Sequence, residues 1–480
     1  MTPVFDDDCM RDVMTRLATA EQTASAAYPG DLDSRQPVHT VYGGAHLFVD
    51  DTMARLGGAA RRAMATYAPD GATFARAIGL AGAERLPSLP GERARLEAQI
   101  AGDPEGARRA EPKAFLAHQI HVRTLARLEC EPVEDYRVDF EDGYGIHTDA
   151  EEDGHAVAAA EAMARAHAAG TLPPFIGLRV KPLTRACAPR AARTLELFTA
   201  TLLARTDGTL PANFVVTLPK VAHTAGVEAL AGLLERLERA HALATGAIRC
   251  ELMLETPQAI LDANGRVPLR ALVAAAGGRC RGVHVGVYDY TAALGIAAID
   301  QGLAHPAAVF ARQLAQVALA GSGVMLSDGA LTTLPIAPHR VPEGGALTAV
   351  QLEANRAAVH GAWRSHFEAV RRALREGWMQ GWDLHPAQLP TRHAAVIAHF
   401  LEGRDEATTR LRAFVERAAR AGLHGGAMDD GATGLGLLNF FLRGVAAGAL
   451  SEADVLAAGL TLEELRSRDF ARIVAARAER

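Results

Sequence analysis

The chain is poor in lysine: of 50 basic residues only Lys113, Lys181 and Lys220 are lysine, and the rest are arginine. That bias reads as genomic and draws attention to the lysines that remain. There is no basic surplus, because 56 acidic residues leave a formal net charge of -6. Without excess cationic surface to neutralise phosphates, nucleic acid and anionic membranes are not expected partners. No apolar run approaches the roughly 18 residues of a membrane span, and Asp6-Asp7-Asp8 stands where a secretory leader would be basic. A cytoplasmic location is therefore expected. The cysteines, Cys9, Cys130, Cys187, Cys250 and Cys280, are few, odd in number and without a C-x-x-C pair, so they read as reduced thiols and not as a zinc site. No repeat at a solenoid period and no low-complexity linker is found. The Gly-rich stretch 423–436 lacks the G-x-x-x-x-G-K-[ST] signature of a phosphate loop.

What is present fits an ordinary globular protein: 480 residues, 49% hydrophobic and 22% charged, are enough for one large domain and a smaller one. Ala/Arg/Leu/Glu-rich helical stretches, such as 153–169 and 224–243, alternate with short Val/Ile/Leu/Phe runs bounded by Gly, Pro or Asp. These runs are VHTVYGGAH (38–46), YRVDFEDG (136–143), FIGLRVKP (175–182), FVVTLPK (214–220), CELMLET (250–256), RGVHVGVYD (281–289), GVMLSD (323–328) and GWDLHP (381–386). Eight strands alternating with helices predict a (β/α)8 TIM barrel. A helical segment over 1–35 should precede it. The barrel itself should span 36–390, with a long helical insertion at about 50–134 that includes an amphipathic helix over 113–130. Residues 391–480 should form a C-terminal helical cap or arm, with the 423–436 loop near the barrel mouth.

Six of these strands end in polar or ionisable residues: DFED, RVK, LPK, LET, VYD and DLHP. In a (β/α)8 barrel those ends converge on the floor of the active site. Glu255 and Asp289 lie at the ends of adjacent strands, 289 − 255 = 34 residues apart, which is one strand–helix–strand repeat. Taken singly, Glu255 reads as the cap of the helix that LETPQAI begins, with Pro257 in its first turn, and Asp289 as another N-cap. Taken together, they are candidate ligands for Mg²⁺ or Mn²⁺, hard cations that take a few carboxylates plus water and polarise a 2-oxo acid toward its enolate.

The segments DFEDGYG, LRVKP, LPKV, ETPQAI, HVGVYDYTAALGI and DLHPAQL together resemble the HpcH/HpaI aldolase and citrate lyase β-subunit family, whose barrel is also similar to that of malate synthase. The resemblance covers about residues 136–390. It implies that Glu255 and Asp289 are metal ligands, that Arg179 clamps a substrate carboxylate, and that Glu141 and Asp142 hold metal-bound water. It makes Lys220 a cation behind the site and places His385 near the mouth as a proton relay or substrate contact. Gly286 and Tyr288, in the strand-six motif, are expected to line the substrate. The first-strand ending, VYGGAHLF, departs from the family's F-V-P-G, and Tyr144, Tyr288 and Tyr290 are further departures that would narrow the mouth.

The activity implied is a metal-dependent carbon–carbon lyase or aldolase working through the enolate of a 2-oxo acid, on a 3-hydroxy acid or its CoA thioester. Partners would be those small molecules, in an enzyme expected to be a homo-oligomer. Four alternatives stay open: malate-synthase-like condensation, phosphoenolpyruvate-linked phosphoryl transfer, a Schiff base at Lys220 or Lys181, and a non-catalytic metabolite-binding barrel. For Arg179, a structural salt bridge to Glu141 or Asp142 is the alternative. For His385, it is a place in the core beneath Pro386.

Overall fold

The computed structural model describes residues 5–30, 35–421, 431–467 and 473. Its eight strands are β1 (His39–Gly44), β2 (Asp135–Asp139), β3 (Phe175–Arg179), β4 (Phe214–Leu218), β5 (Arg249–Leu254), β6 (Cys280–Val285), β7 (Met325–Ala330) and β8 (Gln380–Asp383). All pair in parallel with their sequence neighbours, and β1 closes on β8 with Thr40 opposite Trp382. The expected TIM barrel is thus the observed fold. Parallel strands covered by helices are buried on both faces, and β2, β3 and β4 are buried at every position.

Each face of β2 has its own chemistry. Tyr136, Val138 and Phe140 pack outward, where the Phe140 ring meets Phe198 of helix Ala188–Arg205 edge to face, 6.3 Å between centroids. Asp135, Arg137 and Asp139 point into the lumen. Strands β2 and β5 are not neighbours, so the Arg137 Nη2 to Glu251 Oε2 bond of 2.6 Å crosses the barrel interior. Glu251 also takes His284 Nε2 at 3.1 Å, and Arg137 pairs with Asp135. The lower lumen is therefore filled by satisfied ion pairs where most barrels place branched apolar side chains.

The insertion between β1 and β2 is helical, running from Thr52–Tyr67 and Gly71–Ile78 to Pro112–Cys130. A further helix, Ala349–Arg375, joins β7 to β8; it begins with a capping box in which Thr348 and Gln351 satisfy each other's backbone N–H. After β8 come Leu389–Ala421, Gly431–Ala446, Glu452–Ala457 and Leu462–Ser467. The expected position of the 423–436 loop at the mouth falls mostly outside the described residues, and from 431 the chain is helical. Helix Asp7–Ala27 buries none of its residues, which leaves Met10, Met14 and Leu17 exposed. Among the described residues no helix is long and apolar enough to cross a membrane.

Candidate active site at the barrel mouth

The barrel fold delivers the end of β2, the end of β3 and the residues just after β4, β5 and β6 to one place. At its centre stands Lys220. Its ammonium lies 2.6 Å from Glu141 Oε1, 3.1 Å from Asp289 Oδ2 and 3.3 Å from Asp142 Oδ2. Its backbone N–H donates to Glu255 Oε1 at 2.5 Å. To make both contacts Lys220 adopts a left-handed backbone, φ +50°, which an L residue enters only when its surroundings hold it there. Burial opposes the ammonium's charge, but the Glu141 hydrogen bond and the field of Glu255 overcome that and push its pKa up. A lysine held this firmly as a cation is a poor Schiff-base nucleophile.

Arg179, 1% exposed, is fixed from three sides. Its Nε and Nη2 make a bidentate pair with Asp139 at 2.7 and 2.5 Å, and Nη1 reaches Glu141 Oε2 at 3.1 Å and Met253 Sδ at 3.7 Å. Its guanidinium also sits over the rings of Tyr42, 4.8 Å away, and Trp382, 5.6 Å away. The principal partner is thus Asp139, and Asp142 is only a distant one at 4.0 Å. Asp139 organises the loop beyond β2 as well, accepting from the backbone N–H groups of Glu141 and Gly143.

Glu255 is 3% exposed, and its carboxyl is raised to about 7, chiefly by burial, with Lys220 pulling it down and Asp289 and Glu141 adding to the rise. Neither expected ligand is a helix cap. Thr256 caps Pro257–Ile260 through its own hydroxyl, and helix Val287–Ala293 has Gly286 at its N-cap, placing Asp289 in the first turn. At Gly286 a side chain would overlap Glu255 Oε2, so the missing Cβ makes room for the carboxylate.

The remaining expected residues make contacts of their own. His385 caps the turn Pro386–Gln388, its Nδ1 accepting from the Ala387 N–H at 3.1 Å, and among the described contacts it has none with the carboxylates. Tyr288 donates its hydroxyl to the Ala330 carbonyl at 3.0 Å, tying its helix to the end of β7. Lys181 turns outside the barrel to Glu152 Oε2 at 2.7 Å and the Phe140 carbonyl at 2.9 Å, so it cannot serve a reaction in the mouth. Tyr144 and Tyr290 are buried, and the Tyr144 hydroxyl is committed to His155 Nδ1 at 2.6 Å, so neither narrows the opening.

Asp139, Tyr42, Trp382 and the central position of Lys220 were not among the expected site features. For Asp139 a signal existed: in DYRVDFED it shares strand parity with Arg137 and Glu141. For the aromatic pair there was none, because 340 residues separate Tyr42 from Trp382.

Five carboxylates, Asp139, Glu141, Asp142, Glu255 and Asp289, face two cations, Arg179 and Lys220, leaving a formal surplus of three negative charges. Among the described residues no three His, Cys, Asp or Glu side chains form a ready-made metal cage. The donor set nevertheless fits Mg²⁺ or Mn²⁺, which are commonly held by one or two carboxylates with water and substrate oxygens completing the shell. The cradle at Gly286 that admits the Glu255 carboxylate supports the same fit.

Fold and site together define a TIM barrel with an anionic, carboxylate-rich mouth. The model of the family described as "Domain of unknown function (DUF6986)" matches residues 17–473, and the chain belongs to that family. No curated protein sequence matches it. Similar solved structures include Haloferax volcanii malate synthase as a magnesium/glyoxylate complex, at 13% identity over 76% of each chain with a TM-score of 0.40. The same enzyme as a pyruvate/acetyl-CoA ternary complex is 15% identical over 72% of this chain and 90% of that one, with a TM-score of 0.41. The citrate lyase beta subunit from M. tuberculosis, complexed with oxaloacetate and magnesium, is 18% identical over 57% of this chain and 92% of that one, with a TM-score of 0.34.

Proposed function

We propose that the barrel mouth is a metal-dependent active site that makes or breaks a carbon–carbon bond through the enolate of a 2-oxo acid, as a lyase acting on a 3-hydroxy acid or its CoA thioester. The observation that carries this reading is the buried Glu255 carboxylate, cradled against Gly286 and joined through Lys220 to Asp289 in a field with surplus negative charge. Glu255 and Asp289 would hold Mg²⁺ or Mn²⁺, which when bound supplies Lewis-acid polarisation of the keto oxygen.

The chain's own residues supply the rest. Arg179, locked by Asp139, turns its Nη1 edge to Glu141, and a substrate carboxylate would compete for that edge with two parallel hydrogen bonds. Lys220, held as a cation, neutralises negative charge that develops beside it. Moving the substrate proton is assigned to Asp142, 58% exposed at the rim and 3.3 Å from the Lys220 ammonium.

The test is deuterium incorporation into the pyruvate methyl group, followed by NMR with Mg²⁺ and with EDTA. Metal-dependent exchange that disappears in Glu255→Gln and Asp289→Asn supports the reading. Exchange indifferent to EDTA, or borohydride trapping of substrate at Lys220, would overturn it.

A further inference from the structure

Away from the barrel mouth, a cleft of about 520 Å³ opens between the helical insertion and helix Ala349–Arg375. Its walls carry Arg76 and Arg93 from the insertion and Arg356, His360 and Arg364 from the helix. The last three are spaced i, i+4 and i+8, so they form one stripe along the helix.

Two of the four arginines are balanced by acids and two are not. Arg93 pairs with Asp70 at 3.0 Å and Arg356 with Glu353 at 3.1 Å. Among the described residues, Arg76 and Arg364 ion-pair with no carboxylate. Arg76 donates instead to the carbonyls of Leu86 and Pro87, and Arg364 to the carbonyl of Arg76 at 2.9 Å. Those bonds aim the guanidinium groups without neutralising them. His360 is anchored likewise, its Nε2 2.8 Å from the Tyr67 carbonyl. Burial first, and Arg93 second, depress the pKa of Arg76, the mark of a cation placed among cations. Gathering like charges in a concave space costs free energy unless an anion enters it.

We infer that this cleft is a binding site for a small molecule carrying a di- or triphosphate, separate from the barrel mouth. Planar guanidinium groups bind phosphate oxygens bidentately, and the side chains of Tyr67 and Ser88 on the same walls add hydroxyl groups suited to such oxygens. The volume lies within the ordinary range for a small-molecule site.

Calorimetric titration of the full-length protein with inorganic pyrophosphate and with ADP tests the site, in EDTA and at matched ionic strength. Saturable binding of both is expected, weakened roughly tenfold or more in Arg364→Gln and further in Arg356→Gln/Arg364→Gln. Neither position is buried, so these variants should fold, and far-ultraviolet circular dichroism would check that. Binding should persist in Glu255→Gln. Absence of binding, equal affinity for citrate, indifference to the arginine variants, or loss in Glu255→Gln would each overturn the assignment. Because the readout is binding without metal, it stands or falls apart from the reaction assigned to the mouth.

Discussion

The backbone N–H of Lys220 donates to Glu255 Oε1 across 2.5 Å, while the ammonium of the same residue lies 3.1 Å from Asp289 Oδ2. One residue thus positions one of the two candidate ligands with its main chain and the other with its side chain. Replacing Lys220 with Met removes a cation that competes with a divalent ion for Asp289. Mn²⁺ should then bind at least roughly tenfold more tightly, as read by electron paramagnetic resonance titration, because a like charge is removed at close range. Pyruvate exchange should fall in the same variant. Weaker Mn²⁺ binding would contradict this arrangement.

Glu255 links stability to pH. Its folded pKa of about 7 lies above the ordinary carboxylate value of 4.5, so between those values the folded protein binds more protons than the unfolded chain. The stabilisation is complete below pH 4.5 and is lost as pH rises through 7. In EDTA, Glu255→Gln should therefore be the more stable protein at pH 8, by roughly 3 kcal/mol at most, with the advantage shrinking toward pH 5. Thermal unfolding at the two pH values measures it, and an advantage that grows on acidification would contradict the prediction.

Gly286→Ala brings a methyl group into steric overlap with Glu255 Oε2 and Cβ. Overpacking of this kind costs roughly 1–3 kcal/mol. Because the displaced group is a proposed ligand, Mg²⁺ should also lose the ability to raise the melting temperature. Wild-type protection by Mg²⁺ in the alanine variant would remove Glu255 from the metal site.

Asp139→Asn leaves the Arg179 guanidinium buried with its bidentate partner gone. The expected loss is roughly 3–5 kcal/mol in urea unfolding, the usual consequence of stranding one half of a buried pair. A change under 1 kcal/mol would mean that Glu141 is the effective partner of Arg179.

The barrel was legible in the sequence because strand length, apolar content and spacing repeat eight times, and local pattern is enough to reveal repetition. Glu255, Asp289, Arg179, Glu141 and Asp142 were legible as residues at strand ends. Their connections were not. That Lys220 sits among four carboxylates depends on a left-handed backbone that Pro219-Lys220 does not advertise, and the Asp139–Arg179 pair depends on register between β2 and β3, where the two residues are directly opposite. For His385 the strand-end position before proline suited both a place at the mouth and a cap on the next turn, and its Nδ1 makes the cap. Lys181 stayed open as a Schiff-base candidate because its position just past the end of β3 did not reveal that its side chain turns to Glu152 of helix Asp149–Ala168.

The ion pairs in the lower lumen also act as a code for threading. Sliding β2 by one residue would carry Asp135, Arg137 and Asp139 to the helix-facing side and Tyr136 and Val138 into a pore lined by Glu251 and His284. Each charge would be stranded in oil and each apolar group set against charge. A misaligned strand is thereby rejected on both of its faces at once, and the mouth above inherits its alignment from that proofreading.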